Sequence, residues 1–445
     1  MKKVALSILL TCLPVAAQAE GAVWVQATVS GYEVRAIPEH EDCPVVFADG
    51  AQIAMNMRAE RNADFPRICS TPLPKVLDTL SYAYPSHATP ACSMPDGICV
   101  EGPRRIPLPV PRANPQRILV LGDTGCRIKG SALQACNDPS RWPFPQLASA
   151  AAKLKPDLVI HVGDYLYRES ACPPGNQGCA GSPWGDNWIT WQADFYEPAA
   201  PLLAAAPIVL VRGNHEDCGR AGPGWLRLQG PAAFEAGAPC SGHLPLVTVD
   251  LGDLRLAVMD DATADEIQLN RKESPVYAAE LTGMADIPAP VWFVHHRPIW
   301  AATTGPFGIP IGGNLQLIDA VRVASLHGAP PIAPSVELML SGHIHTFEAI
   351  NYTKGVPPQI VAGNGGTNLV ATPRDLKGAQ FQGHSGVTAA DGLSVGGFGF
   401  LLMSRAPEGW TIDLYDQAAQ AKGQCRFTAP QIGARGRLDC PSLKN

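Results

Sequence analysis

Five short apolar runs in this 445-residue chain each break into a turn that carries Asp, Asn or His. Residues 117–121 run into Gly122-Asp123-Thr124-Gly125, and 159–162 into Gly163-Asp164-Tyr165-Leu166-Tyr167. Residues 207–211 run into Arg212-Gly213-Asn214-His215-Glu216, and 291–294 into His295-His296-Arg297-Pro298. The last, 336–340, meets Ser341-Gly342-His343-Ile344-His345. A continuous apolar run ended by such a turn predicts a strand buried on both faces, as in a parallel sheet. Parallel strands bring their carboxyl ends to one edge, so the turns gather carboxylate, amide and imidazole donors there. That mixture of donors suits transition metals.

Between these runs, 145–154 and part of 184–206 read as helices. Strands alternating with helices predict mostly parallel pairing in a layered α/β core. Residues 244–249 and 254–259 are strand-like runs around a Gly252-Asp253 turn, which implies a second sheet packed on the first. The chain shows no internal repeat and no low-complexity tract.

Residues 1–19 read as a signal peptide: Lys2 and Lys3, an apolar stretch over 4–14, then Ala17-Gln18-Ala19 as cleavage site. Cys12 lies inside the apolar stretch after Thr11, unlike a lipoprotein cysteine. Cleavage leaves 445 − 19 = 426 residues and moves the net charge from −6 to −8 by removing two lysines. No basic surface for nucleic acid is implied, and no later segment is apolar enough to anchor in a membrane. The expected location is periplasmic or secreted. Nothing in the sequence specifies an oligomeric state.

Thirteen cysteines less Cys12 leave an even twelve, which in an exported chain predicts disulfides. Proximity pairs Cys43–Cys69, Cys92–Cys99, Cys126–Cys136, Cys172–Cys179, Cys218–Cys240 and Cys425–Cys440. Residues 20–113 differ from the rest: 23–29 and 32–35 alternate like antiparallel strands, and the stretch that follows is rich in proline and cysteine. They read as a small β-rich, disulfide-containing N-terminal domain, joined by a proline-rich linker to a catalytic domain over 114–445.

Asp123, Asp164, Asn214, one histidine of the 295/296 pair, His343 and His345 all follow strand ends. Asp164, in the middle of the set, is suited to bridge two ions, and two ions about 3.5–4 Å apart can neutralise a phosphoryl group from both sides. The motifs GDTG, GDYLY, GNHE and GHIH, with His296-Arg297-Pro298-Ile299-Trp300, resemble the calcineurin-like metallophosphoesterase superfamily from Gly122 to His345. Within it they resemble the purple acid phosphatases. Most members open with D-x-H, whereas Gly125 stands at that histidine's place here. Tyr167, three residues after Asp164, is where purple acid phosphatases supply the missing ligand. Tyr165 and His295 are the alternatives by spacing.

The resemblance implies a layered β-sandwich core flanked by helices. It also implies a first ion on Asp123, Tyr167 and His345, a second on Asn214, His296 and His343, and Asp164 between them. The phenolate favours Fe(III), paired with divalent Fe, Zn or Mn. His215 takes the general-acid role on the leaving oxygen. The function implied is hydrolysis of small phosphate monoesters by a metal-bound hydroxide. The same ligands serve phosphodiesterases and nucleotide hydrolases, and a closed site would suit a non-catalytic secreted metal-binding protein. Three further features are candidates: the Gly363-Asn364-Gly365-Gly366-Thr367 amides, loop residues His243 and His384, and an Arg168–Glu169 ion pair.

Overall fold

Apolar residues alternate between two faces along the motif strands, and both faces are covered. Ile118, Val120 and Ile160 point into a cluster shared with Trp292, Val294, Leu338 and Leu340. Leu119, Leu121 and Val159 point the other way, onto Phe144, Leu147 and Leu202 of helices Phe144–Lys153 and Glu197–Ala205. Phe293 and Met339 likewise meet Tyr277 and Leu317 of helices Ser274–Gly283 and Leu315–Leu326. Two sheets therefore pack face to face between two helical layers. Burial on both faces is why each strand reads as an unbroken apolar run.

The computed structural model describes residues 21–38, 42–84, 91–93, 98–100, 105–304, 310–326, 330–381, 386–429 and 435–443. The expected signal segment lies outside them. Among the described residues the first sheet has eleven strands and the second seven. Arg117–Leu121, Leu158–His161 and Ile208–Leu210 form a parallel block in the first, and Arg255–Val258, Val291–Val294 and Val336–Ser341 one in the second. Flanking strands are antiparallel: Gly399–Ala406 pairs with Arg117–Leu121, and Val247–Asp250 with Arg255–Val258. Pairing is therefore more mixed than the strand–helix alternation predicts. The helix expected over 145–154 spans Phe144–Lys153, with Pro145 in its first turn, where a missing N–H costs no helical bond. The stretch 184–206 forms Trp188–Trp191 and Glu197–Ala205 joined by a π-helical turn, Gln192–Tyr196.

Ala22–Thr28 and Gly31–Ile37 form the expected antiparallel pair. They also extend the main sheet, because Ala22–Thr28 runs parallel to Ile208–Leu210 with Gln26 opposite Ile208. The buried Arg35 donates to the carbonyls of Leu228 and Gly230, each at 2.7 Å. Residue 113 thus marks no break in the sheet. A separate four-stranded sheet holds Ile106–Pro107, Leu80–Ala83, Val45–Ala48 and Ala51–Ala54. Cys43–Cys69, Cys126–Cys136, Cys172–Cys179, Cys218–Cys240 and Cys425–Cys440 are bonded as proximity predicts. Cys92 and Cys99 are opposite one another in the paired strands Ala91–Ser93 and Ile98–Val100; their side chains lie outside the described residues.

Candidate metal centre

Both parallel blocks present their carboxyl ends to one place. Leu121 is level with His161, His161 with Leu210, and Val294 with Leu340, so the turns that follow converge. Asp123, Asp164 and His343 have positive φ, 57°, 62° and 68°. Outside glycine this backbone is uncommon and costs of order 1–3 kcal/mol per residue. Three such residues in one cluster mark turns held in shape for their side chains.

The side chains meet in two groups that share Asp164. Asp123, Asp164 and His345 offer ligand atoms within 4.8 Å of one another, and so do Asp164, His296 and His343. The Tyr167 hydroxyl joins the first group, 2.7 Å from Asp164 Oδ2, 3.2 Å from Asp123 Oδ1 and 3.1 Å from His345 Nε2. Asn214 joins the second through Oδ1, 3.1 Å from His296 Nε2. His296 Nε2 is also 3.2 Å from Asp164 Oδ2. All seven expected ligand residues are in the cluster.

The alternatives by spacing point elsewhere. His295 stacks on Phe293 and places Nδ1 2.9 Å from Asp261 Oδ2. Tyr165 donates its hydroxyl to the Val211 carbonyl at 2.8 Å and stacks on His161.

Two of the histidines have one ring nitrogen fixed by a backbone carbonyl. His296 Nδ1 is 2.8 Å from the Val162 carbonyl and His345 Nδ1 2.7 Å from the Asn368 carbonyl. A carbonyl only accepts, so both Nδ1 atoms carry the proton and both Nε2 atoms face the cluster with a lone pair when the ring is neutral. His343 is reversed: Nε2 is 2.8 Å from Glu266 Oε1, and the buried Nδ1 has no hydrogen-bond partner. A buried ring nitrogen without a hydrogen-bond partner, on a residue grouped with Asp164 and His296, suits a cation ligand.

Electrostatics agree. Burial lowers the His296 pKa, but Asp164 and then Asp123 outweigh it and lift it to about 10. Burial, then Asp164 and Asp123, push the Tyr167 hydroxyl well above its ordinary range. The cluster holds more negative charge than its own side chains balance. A multivalent cation would reverse the sign at both groups.

Gly125 accounts for the altered first motif. A Cβ there would lie 2.3 Å from the Tyr165 carbonyl oxygen and 2.9 Å from Tyr167 Cδ2, so the tyrosine fills the space. Gly213 and Gly342 are tight as well, since added Cβ atoms would fall 2.2 Å from Asp164 Oδ1 and 2.5 Å from Asp123 Oδ2.

His215 is buried, donates its backbone N–H to Asp164 Oδ1 at 2.9 Å and lies against the Tyr167 ring. Its Nδ1 is 2.8 Å from Glu169 Oε1. Glu169 also meets Lys129 at 2.8 Å and Arg220 at 3.6 Å. The expected Arg168–Glu169 pair therefore does not form. Arg168 instead binds Asp194 at 2.7 Å. The glycine-rich amides serve the fold rather than a ligand: Gly365 and Thr367 donate to the carbonyls of Gly122 and Asp123. His243 faces Glu280 at 3.1 Å, and His384 lies outside the described residues.

Three buried carboxylates to which the sequence assigns no role hold the turns. Asp194 accepts from the N–H groups of Cys126, Tyr167 and Arg168. Glu216 accepts from those of Tyr165, Leu166 and Gly213. Asp261 accepts from those of His296 and Arg297. Asp261 follows an apolar run, the same signal that marks the ligands. Asp194 lies within a helical stretch and carries no such mark.

A double-layered α/β fold with two ligand groups sharing one carboxylate at its strand ends defines the class as a metallophosphoesterase fold. The calcineurin-like phosphoesterase family model matches residues 116–347, slightly more than half the chain, and the chain belongs to that family. The family uses a binuclear metal centre. Among solved structures, purple acid phosphatase PPD1 from yellow lupin (Lupinus luteus) seeds shares the fold at TM-score 0.53 and 13% identity, covering 91% of this chain and 73% of that one. PhoD gives a TM-score of 0.47 at 12% identity, covering 95% and 91%. GAP50, the anchor in the inner membrane complex of Plasmodium, gives 0.44 at 13%, covering 71% and 90%. No curated protein matches the chain.

Proposed function

We propose that this phosphoesterase is an exported acid phosphatase of the purple type, acting on small phosphate monoesters. The observation that carries the reading is the pair of ligand groups joined at Asp164, with the Tyr167 hydroxyl in the first. Asp123, Tyr167 and His345 would hold a ferric ion, Asn214, His296 and His343 a divalent Fe, Zn or Mn, and Asp164 both. Two such ions supply Lewis acidity to the phosphoryl oxygens and activate water at acidic pH. His215, oriented by Glu169, donates a proton to the departing oxygen. Asp194 and Glu216 keep the Tyr167 and Asn214 turns in register while this happens.

Five disulfides, and no helix among the described residues long and apolar enough to cross a membrane, accord with export to the periplasm or medium. Rates on a phosphate monoester and its bis-ester test the assignment. Faster monoester turnover with an optimum below pH 7 supports it. Preference for the bis-ester assigns the site to phosphodiester cleavage.

A further inference from the structure

One loop holds both histidines of the candidate second-ion group. It runs from strand Arg255–Val258 to helix Ser274–Gly283 and carries Asp261 and Glu266. Asp261 accepts from the backbone N–H groups of His296 and Arg297, each at 3.1 Å. Glu266 meets the His343 ring, with Oε1 2.8 Å from Nε2. The same oxygen pairs with the Arg297 guanidinium. Asp261, Arg297 and Glu266 thus link the His296 backbone to the His343 ring. The loop is itself tied to the start of helix Leu315–Leu326, where the Asn314 amide donates to the Ala264 carbonyl at 2.9 Å. Glu266 belongs to none of the five motifs.

A carboxylate only accepts, so the proton of a neutral His343 ring sits on Nε2 and the lone pair on Nδ1. That Nδ1 is buried without a hydrogen-bond partner, on the residue grouped with Asp164 and His296. In His296 and His345 the roles are exchanged, with Nδ1 fixed by a main-chain carbonyl. A main-chain carbonyl moves only with its turn. A carboxylate on a side chain has to be held, and the pair with Arg297 holds this one. Glu266 and His343 line a cavity of about 890 Å³, with side chains 34% and 19% exposed. Water can therefore replace a missing carboxylate there, and a ring bonded to water is free to present either nitrogen.

We propose that Glu266, anchored by Arg297, is the positioning residue of the second ion: it commits His343 to ligation through Nδ1 and sets how tightly that ion is held. The inference rests on the second-ion ligands proposed above, and not on the kind of ester cleaved.

The test is zinc competition between the metal-loaded protein and a chromophoric chelator, with metal counting, on Glu266→Ala, Glu266→Gln, Arg297→Met and the Glu266→Ala, Arg297→Met double variant. We expect Glu266→Ala to weaken the second ion by about 10–100-fold and to leave the first within about threefold of the wild type. Glu266→Gln keeps an acceptor oxygen for the Nε2 proton and should recover part of that loss. Arg297→Met should weaken the same ion. The double variant should lose no more than Glu266→Ala alone, because Arg297 acts through the carboxylate. A second ion held as tightly by Glu266→Ala and Arg297→Met as by the wild type overturns the positioning role and leaves the phosphatase reading standing. So does a loss shared equally by both ions, which marks general damage to the fold. The expected loss of the second ion, in a protein whose wild type hydrolyses no phosphate monoester, supports the positioning role and sinks the phosphatase reading instead.

Discussion

The Tyr167 hydroxyl donates to Asp164 Oδ2 at 2.7 Å, and the same oxygen lies 3.2 Å from His296 Nε2. One carboxylate oxygen thus faces both ligand groups, whereas every other residue in the cluster serves one. Asp164→Ala should therefore lose both ions, and His296→Ala mainly the second. Metal counting on the purified variants checks this. His295→Ala should keep both ions, because that ring is turned to Asp261; loss of an ion there would reassign the motif.

Gly125 and Tyr167 share one space. Gly125→Ala should displace Tyr167 or the Tyr165 carbonyl, costing about 1–3 kcal/mol by overpacking. Thermal unfolding should show the loss, with reduced occupancy of the first ion. A variant as stable and as fully loaded as the wild type contradicts the geometric account of the altered motif.

The cluster was legible because strand ends announce themselves. Apolar runs buried on both faces leave their last polar residue at the sheet edge, and five such edges pointed to six of the expected ligand positions, whereas Tyr167 came only from the resemblance. His296 was separable from His295 only by resemblance in the sequence, and by ring direction in the structure. The partners of Arg168 and Glu169 were not legible. Asp194 and His215 reach them from 26 and 46 positions away along the chain (194 − 168 and 215 − 169), and no local pattern encodes a contact across that separation. The placement of the N-terminal strands was not legible for a related reason. Alternation identifies a strand pair, but not the sheet it joins, and Ala22–Thr28 joins the central one.

The Cys126–Cys136 bond closes a short loop just beyond Asp123. Replacing both cysteines with serine should lower stability by about 2–3 kcal/mol, on the loop-closure estimate. Chemical denaturation measures that loss. Thiol mapping of the native protein should find none of the ten bonded cysteines free.

Glu348 is buried, with Oε2 accepting from the Ala302 N–H at 3.2 Å. Burial lifts its pKa from 4.5 to about 8. A raised carboxyl favours the folded state fully below its unfolded value, and that contribution is lost as pH rises through the folded value. Stability should therefore fall between about pH 4.5 and 8, by an amount on the order of 5 kcal/mol for this group. Glu348→Gln should flatten that slope in pH-dependent denaturation; an unchanged slope assigns it to other groups.

The central claim is a two-ion centre in which Tyr167 binds iron. Metal analysis combined with the visible absorption spectrum of the purified protein tests it most directly. We predict two ions per chain, at least one of them ferric. A phenolate-to-iron charge-transfer band should colour the protein violet, as in the family it resembles, and Tyr167→Phe should abolish it while the fold persists. A colourless protein carrying two zinc or manganese ions, with an alkaline optimum, would contradict the claim.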